Sequence, residues 1–396
     1  MTEIDIVGGV YRERVAFPYW DELIGSAGRS ALALNGLVDT VRLHTCLSER
    51  EEIVGDAQFR GVGIDLQVTR RSEPVEFDYV HTLAVPKIYR DWNAAPVSMP
   101  DVQGYVVVKF GMMEADPIVR ATFAIYDPQS AFKPVSFSRN GSTAEHLAIV
   151  ANKGEILSMS GAKTVDDAIG ALQSTQNVEV IVVKDGIEGA HVYASGSYHH
   201  VPAYKTRNVF SLGSGDMFVS AFAYGWAVAG MSPFETAEFA SRSVAEYLET
   251  RSTKIEPPGS PNIKTREVVR KAGGMIYLAG PFRETGQRML INDARSHLRS
   301  LGMSVFSPIH DIGPGSADLV VHRDLAAVRE CDAVFAILNG SSPGTVFEVG
   351  FATALNKPVF CVAQNMRDVD IKLPRGSGAF IHDDYVSALH QIAWRS

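Results

Sequence analysis

Two stretches of this chain place a carboxylate where it could do chemistry. In Gly344-Thr345-Val346-Phe347-Glu348-Val349-Gly350, Glu348 falls in the first turns of a helix after a glycine-containing loop. A helix N-terminus stabilises negative charge. A carboxylate held there suits attack on an anomeric carbon, because an oxocarbenium-like transition state needs a negative partner. A second carboxylate, Asp324, lies on the preceding helix, followed by Cys331-Asp332 and a strand. Taken alone, a helix-capping Glu348 and a solvated Asp324 are the plainer account, since acidic first turns are common.

The other stretch is Phe210-Ser211-Leu212-Gly213-Ser214-Gly215-Asp216, which runs into an apolar helix over Met217–Ala229. Gly213 and Gly215 would let backbone N–H groups approach an anion at the helix start. Asp216 could take a proton from a substrate hydroxyl. A tight turn with an N-capping Asp is the alternative. Lys184-Asp185-Gly186-Ile187-Glu188-Gly189 follows a strong strand and, taken singly, reads as a β-turn. Asn152 and Glu155 open another helix, where they either organise hydrated Mg²⁺ and phosphates or simply cap it.

The elements that must position these residues are α/β in character. Ile4–Gly9, Tyr105–Phe110, Ala121–Asp127 and Val178–Val183 are short, β-rich runs of nearly continuous apolar character. Such runs suit strands buried on both faces of a parallel sheet. A second α/β pattern begins at Met275. Its strands are expected at Met275–Gly280, Ser304–Ser307, Ala333–Leu338 and Pro358–Val362, with helices near Gln287–Leu301, Leu319–Glu330 and Thr345–Leu355. The sequence therefore predicts two doubly wound α/β domains, at 1–256 and 273–396, joined by a Pro/Gly-rich linker at 257–272.

Composition narrows the function. The 396 residues are 46% hydrophobic and 21% charged, a globular balance that excludes a mainly disordered chain. A net charge of −8 argues against broad binding of nucleic acid or anionic membrane. The acidic start lacks the basic region of a signal peptide, and Met217–Met231 is too short an apolar run to span a bilayer. A cytoplasmic protein is the expectation. Cys46, Cys331 and Cys361 are far apart, and His199, His200 and His310 lack ligand spacing, so neither a disulfide framework nor a metal site is expected. Trp20, Trp92, Trp226 and Trp394 read as core or interface residues.

In order and spacing, the motifs between Ile4 and Thr250 resemble those of the ribokinase-like (PfkB) sugar and nucleoside kinases. The resemblance implies a ribokinase-like fold, an anion hole at Gly213 and Gly215, and Asp216 as catalytic base. It assigns Asn152 and Glu155 to Mg²⁺ and phosphate, Lys184 and Gly186 to the nucleotide side, and Mg-ATP as donor. Gly25-Ser26-Ala27-Gly28 is similar to that family's N-terminal Gly-Gly substrate motif. The acceptor side departs from the pattern. Phe210-Ser211 replaces Asp-Thr, Ser26 replaces the second Gly, Ser30 replaces an Asn, and Glu13 replaces an Asp. An active kinase on an unusual substrate and a nucleotide-sensing pseudokinase that gates a glycosidase both fit.

From Met275 to Val362 the chain resembles the nucleoside 2-deoxyribosyltransferases, whose domain is flavodoxin- or Rossmann-like and needs no cofactor. The motifs are Ile276-Tyr277-Leu278-Ala279-Gly280-Pro281-Phe282, Asp324, Asp332-Ala333-Val334, Gly344-Thr345-x-x-Glu348-x-Gly350-x-Ala352 and Lys357-Pro358-Val359. The resemblance implies Glu348 as nucleophile, Asp324 assisting the leaving base, and Tyr277 and Gly280 lining the pocket. Six residues before the nucleophile, where those transferases carry Asp, this chain has Ser342. The related nucleoside 5'-monophosphate N-glycosidases place a phosphate-binding Ser there. A Ser hydroxyl can donate to a phosphate that an Asp would repel. Arg283 and Gly344 would complete such a pocket, although Ser-Ser-Pro-Gly also suits a plain polar turn. Together these readings imply an enzyme of nucleotide metabolism acting on small nucleosides or nucleotides. A homo-oligomer is also expected, with the tail Gln391–Trp394 completing a neighbour's pocket.

Overall fold

The computed structural model describes residues 2–129, 133–313 and 315–395. The chain forms two compact units. Unit 1 comprises Met1–Thr206 and Phe210–Val268, and unit 2 comprises Arg207–Val209 and Val269–Ser396.

The elements of unit 1 are, in chain order, β1 (Glu3–Val7), β2 (Arg12–Val15), β3 (Trp20–Leu23), α1 (Gly25–Leu34), β4 (Thr40–Leu47), α2 (Glu49–Gln58), β5 (Asp65–Arg70), β6 (Glu76–Tyr79), β7 (Lys87–Tyr89), β8 (Val102–Phe110), β9 (Val119–Asp127), β10 (Thr143–Asn152), α3 (Lys153–Ser160), α4 (Val165–Gln176), β11 (Val180–Lys184), β12 (Ala190–Ala194), β13 (Ser197–Val201), α5 (Ser214–Ala223) and α6 (Pro233–Thr250). Nine strands form one sheet in the order β13-β12-β11-β10-β9-β8-β1-β4-β5. Pairing is parallel from β11 through to β5 and antiparallel at β12 and β13. Alternate residues serve opposite faces. Val106 and Val108 join one core with Ile4, Ile6, Met217 and Phe222, while Val107 joins another with Val7, Ile149 and Leu172. Burial on both faces explains why these strands read as continuous apolar runs.

A smaller sheet, β3-β2-β6-β7, was not evident in the sequence. Its strands are short: Arg12-Glu13-Arg14-Val15 shows no alternation, and Glu76-Phe77-Asp78-Tyr79 alternates over only four residues. The helix expected over Met217–Ala229 is α5 followed by a π-helical turn at Tyr224–Val228. Residues 257–268, read as linker, lie with unit 1, where Lys264 and Arg266 pair with Glu246 on α6.

Unit 2 runs β14 (Met275–Ala279), α7 (Thr285–Ser300), β15 (Ser304–Phe306), α8 (Pro308–Asp311), α9 (Ala317–Glu330), β16 (Ala333–Ile337), α10 (Pro343–Ala354), β17 (Val359–Val362), α11 (Asp368–Gly376), β18 (Phe380–His382) and α12 (Tyr385–Ala393). Its five strands are all parallel, in the order β15-β14-β16-β17-β18. The order reverses between β14 and β16, and open α/β sheets bind ligands at such a switch point, outside the carboxyl ends of the strands. Tyr277 and Ala279 of β14 share a core with Val328 of α9 and with Val349 and Ala352 of α10. The tail differs from expectation. Ile392, Ala393 and Trp394 are buried in their own unit, where the Ala393 carbonyl accepts from the Ala272 N–H. This apolar end of α12 is spent on unit 2's own core.

Candidate functional sites

In unit 1 the charged residues gather at the carboxyl ends of parallel strands. β9 ends at Asp127, β10 at Asn152 and β11 at Lys184. Lys184 Nζ donates to Asp127 Oδ2 at 2.6 Å. It also lies 3.3 Å from where a Cβ on Gly215 would be, so the ammonium faces the start of α5. Burial opposes the Lys184 charge, but Asp127 and Glu155 outweigh it and raise the pKa. Asn152 and Glu155 form a reciprocal capping box at the start of α3, with 2.9 Å bonds in both directions. Glu155 nonetheless lies close enough to act electrostatically on Lys184. Gly186 (φ +54°) and Gly189 (φ +89°) frame a single 3₁₀ turn, and a side chain on Gly189 would strike the Val201 carbonyl.

Gly213 (φ +80°) is the N-cap of α5, and Asp216 lies in its first turn without capping it. The Asp216 carboxylate instead meets Arg29. Arg29 Nη1 donates to Asp216 Oδ2 at 2.5 Å, and Nη2 bonds Glu13 Oε2. Arg29 has no exposed surface, and Glu13 and Asp216 are both buried. The other Asp216 oxygen accepts from the Gln129 amide, which in turn is bonded by Ser26. Glycine at 213 is required by this arrangement, since a Cβ there would lie 2.2 Å from Arg29 Cζ. Arg29, Gln129 and Asp127 were not singled out from the sequence. None belongs to a local motif, and only the fold brings them to Asp216.

In unit 2, Tyr277 is wholly buried in β14 and donates its hydroxyl to Glu348 Oε1 at 2.7 Å. Asp324 of α9 acts electrostatically on both, and its Oδ1 is buried without a hydrogen-bond partner among the described residues. Burial is the main cause that pushes the Glu348 carboxyl up to about 7; the Tyr277 hydrogen bond opposes it and Asp324 adds to it. Asp324 is raised by burial, with Arg323 opposing. Glu348 therefore does not act as a helix cap, and Asp324 is not a solvated helix charge. Gly280 follows β14 in close quarters, where a Cβ would sit 3.1–3.3 Å from Ile291 and Ile337.

Ser342 is the N-cap of α10, but its side chain makes no capping bond, so its hydroxyl is not committed to the helix. Gly344 is exposed in the first turn of α10. Arg283 is exposed on the loop after β14, with no ion pair or hydrogen bond drawing it to Glu348 or Ser342 among the described residues. The structure thus brings Tyr277, Glu348 and Asp324 together. Ordinary loops close this end of the sheet. The Asn339 side chain accepts from the Gln364 N–H at 2.7 Å, tying the segments after β16 and β17. Among the described residues no cluster of His, Cys, Asp or Glu has the makings of a metal site, and no helix is long and apolar enough to cross a membrane.

Both sheets define an α/β protein whose charged residues line the carboxyl ends of parallel strands. Residues 117–258 match the pfkB family carbohydrate kinases, and residues 276–385 match the nucleoside 2-deoxyribosyltransferases. The chain therefore carries a ribokinase-like PfkB kinase domain followed by a nucleoside 2-deoxyribosyltransferase domain. The pfkB match includes Asn152, Glu155, Lys184, Gly186, Gly213, Gly215 and Asp216, while Glu13 and Arg29 fall outside it. Among curated relatives, the 5-dehydro-2-deoxygluconokinase of Bacillus subtilis (strain 168) is 26% identical over 145 residues, which is 34% of this chain and 44% of that protein. The same-named protein of Listeria monocytogenes serovar 1/2a (strain ATCC BAA-679 / EGD-e) is 23% identical over 166 residues, 39% of this chain and 50% of that one. The chain spans about half the length of these relatives or less. Among solved structures, the Giardia lamblia ribokinase has 15% identity and a TM-score of 0.49, covering 63% of this chain and 94% of that one. The Thermotoga maritima ribokinase has 20% identity and a TM-score of 0.44, covering 63% and 94%.

Proposed function

We propose that unit 2 cleaves or transfers the N-glycosidic bond of a nucleoside or nucleoside 5'-monophosphate. The observation that carries this reading is the 2.7 Å hydrogen bond from Tyr277 to Glu348 beside the unpartnered carboxylate oxygen of Asp324. With Tyr277 holding Oε1, Glu348 Oε2 attacks the anomeric carbon as the C–N bond breaks. Asp324, beside Glu348, assists the departing base, which takes its proton from water. The glycosyl–Glu348 ester then passes its sugar to water in a hydrolase, or to a second base in a transferase. Ser342 and Arg283 would hold a 5'-phosphate, with the Gly344 backbone beside it.

The test is free-base release, followed by chromatography, from a mixed panel of nucleosides and 5'-monophosphates, with Glu348→Ala as control. Release from monophosphates alone, lost in the variant, supports the hydrolase. Base exchange with unphosphorylated nucleosides supports the transferase. No release from any substrate overturns both.

For unit 1 we propose a phosphate-donor site at Lys184, Gly213 and Gly215. The ammonium and the α5 N-terminus, whose cradle a Gly215 side chain would narrow, fit an anionic donor. Asn152, Glu155 and the Gly186 turn would hold Mg-ATP there, which supplies the phosphoryl group. In a sugar or nucleoside kinase, Asp216 would take the acceptor's proton. A kinase of this kind would make the 5'-phosphate that unit 2 reads. A second reading, that unit 1 senses nucleotide and gates unit 2, draws on one observation: both Asp216 oxygens are already engaged. Base release measured with and without ATP tests it, with an unchanged rate counting against gating. We also propose a small-molecule enzyme of the cytoplasm that assembles as a homo-oligomer.

A further inference from the structure

We infer that Arg29 permanently occupies the acceptor position of unit 1, so that this unit binds a phosphate-bearing donor without passing its phosphoryl group to a sugar or nucleoside. The inference rests on the donor site proposed above and concerns the other side of Asp216. A general base must hydrogen-bond the hydroxyl it deprotonates, at about 2.6–3.2 Å. Asp216 Oδ2 is held by Arg29 and Oδ1 by Gln129, and the wholly buried Arg29 guanidinium fills the space between Asp216 and Glu13 that an acceptor hydroxyl would have to enter.

The clamp is built into the fold. The Arg29 guanidinium spans two carboxylates from different parts of unit 1, Glu13 on β2 and Asp216 on α5. A polyol would present two hydroxyls to such a pair in the same manner, as donors to both. Arg29 has no exposed surface, and the Cβ-free face of Gly213 makes the space its guanidinium fills. Its Nε is buried without a hydrogen-bond partner among the described residues, as expected of a group placed by its two ion pairs rather than by a full set of bonds. Removing a buried Arg from between two acids leaves charges that nothing else neutralises, so the clamp resists opening. Arg29 stands four residues after Gly25 and three before Leu32, inside a helix of small residues, and nothing in that local pattern marks it.

Two measurements on the full chain test this. In the first, wild type, Arg29→Ala and Arg29→Ala/Asp216→Asn are incubated with Mg²⁺ and either ATP or pyrophosphate. The acceptors are a panel of neutral and carboxylate-bearing sugars, polyols and nucleosides. Wild type is expected to bind a donor and transfer to no acceptor. Arg29→Ala is expected to gain donor turnover of at least ~10-fold, to water or an acceptor, which the second substitution abolishes. Asp216-dependent transfer by wild type overturns the inference, and so does a folded Arg29→Ala that binds donor without any gain.

The second measurement needs no donor. Millimolar guanidinium should raise the melting temperature of Arg29→Ala but not that of wild type or of Arg29→Ala/Glu13→Gln/Asp216→Asn. No selective rise overturns the inference; if Arg29→Ala does not fold alone, refolding with guanidinium but not without it is the expected result, and no refolding in either overturns the inference. If neither ATP nor pyrophosphate binds while guanidinium still rescues, the donor-site reading fails and the Arg29 clamp stands.

Discussion

Asp216 and Glu348 occupy similar places. Each lies in the opening turns of a helix beside the carboxyl edge of a parallel sheet, and each is the carboxylate to which reaction chemistry would fall. Their surroundings handle charge in opposite ways. Asp216 is engaged on both oxygens: Arg29 and Gln129 donate to them, and Glu13 shares the same guanidinium. Glu348 accepts from a neutral donor, Tyr277, and faces a second carboxylate whose buried Oδ1 has no partner among the described residues. A satisfied ion-pair network favours a fixed structure, whereas strained and under-satisfied carboxylates mark a site prepared for a ligand. By this contrast Glu348 keeps an oxygen open to a ligand, whereas Asp216 is engaged by side chains of its own unit.

The largest effect expected is on activity in unit 2. Glu348→Gln should lower base release by about 10³-fold or more, read by chromatography of the free base, because a nucleophile cannot be replaced by its amide. Less than a tenfold loss would remove Glu348 from the reaction.

Stability should separate the two sites next, and with opposite sign. Arg29→Met removes the cation between buried Glu13 and Asp216 and should cost about 3 kcal/mol in denaturant unfolding. Glu348→Gln should stabilise at pH 8. The carboxyl titrates near 7 in the folded chain and near 4.5 when unperturbed. The folded state therefore holds more protons between these values. Stability from that protonation is fully present below about 4.5 and is lost as pH rises through about 7. The gain from Glu348→Gln should accordingly fade as pH falls toward 4.5. Destabilisation by Glu348→Gln at pH 8 would mean that Glu348 is a paired structural charge like Asp216.

Asp324→Asn should slow base release by about 10²-fold, through the lost assistance to the leaving base. The loss should shrink for bases that leave readily without protonation, and equal losses for all bases would reduce Asp324 to a structural role.

Tyr277→Phe should have the smallest effect. Base release should rise with pH through about 7 as Glu348 ionises. Because the Tyr277 hydroxyl lowers the Glu348 pKa, its removal should move that limb of the profile to higher pH. An unmoved limb would show that another group controls the profile.

Local features were readable from residue order. The Asn152–Glu155 box forms its bonds within three residues, and Gly213 needs only its own positive φ and the helix after it. The strands buried on both faces announced themselves through unbroken apolar runs. β10 did not, because Thr143-Ala144-Glu145-His146 is polar and only Leu147 onward is buried apolar sequence. The tail was misread because apolar α12 residues look alike whether a neighbour or their own unit covers them.

By itself, then, the sequence determined the two α/β patterns, the glycine turns, the helix starts and which carboxylates could act. It could not determine which charges would meet. Arg29 and Asp216 are 187 residues apart, and Tyr277 and Glu348 are 71 apart. Helix caps and strand periodicity arise from neighbours along the chain, so residue order specifies them. An ion pair or a raised pKa depends on distance and burial, and these exist only once the sheets have brought separate elements together.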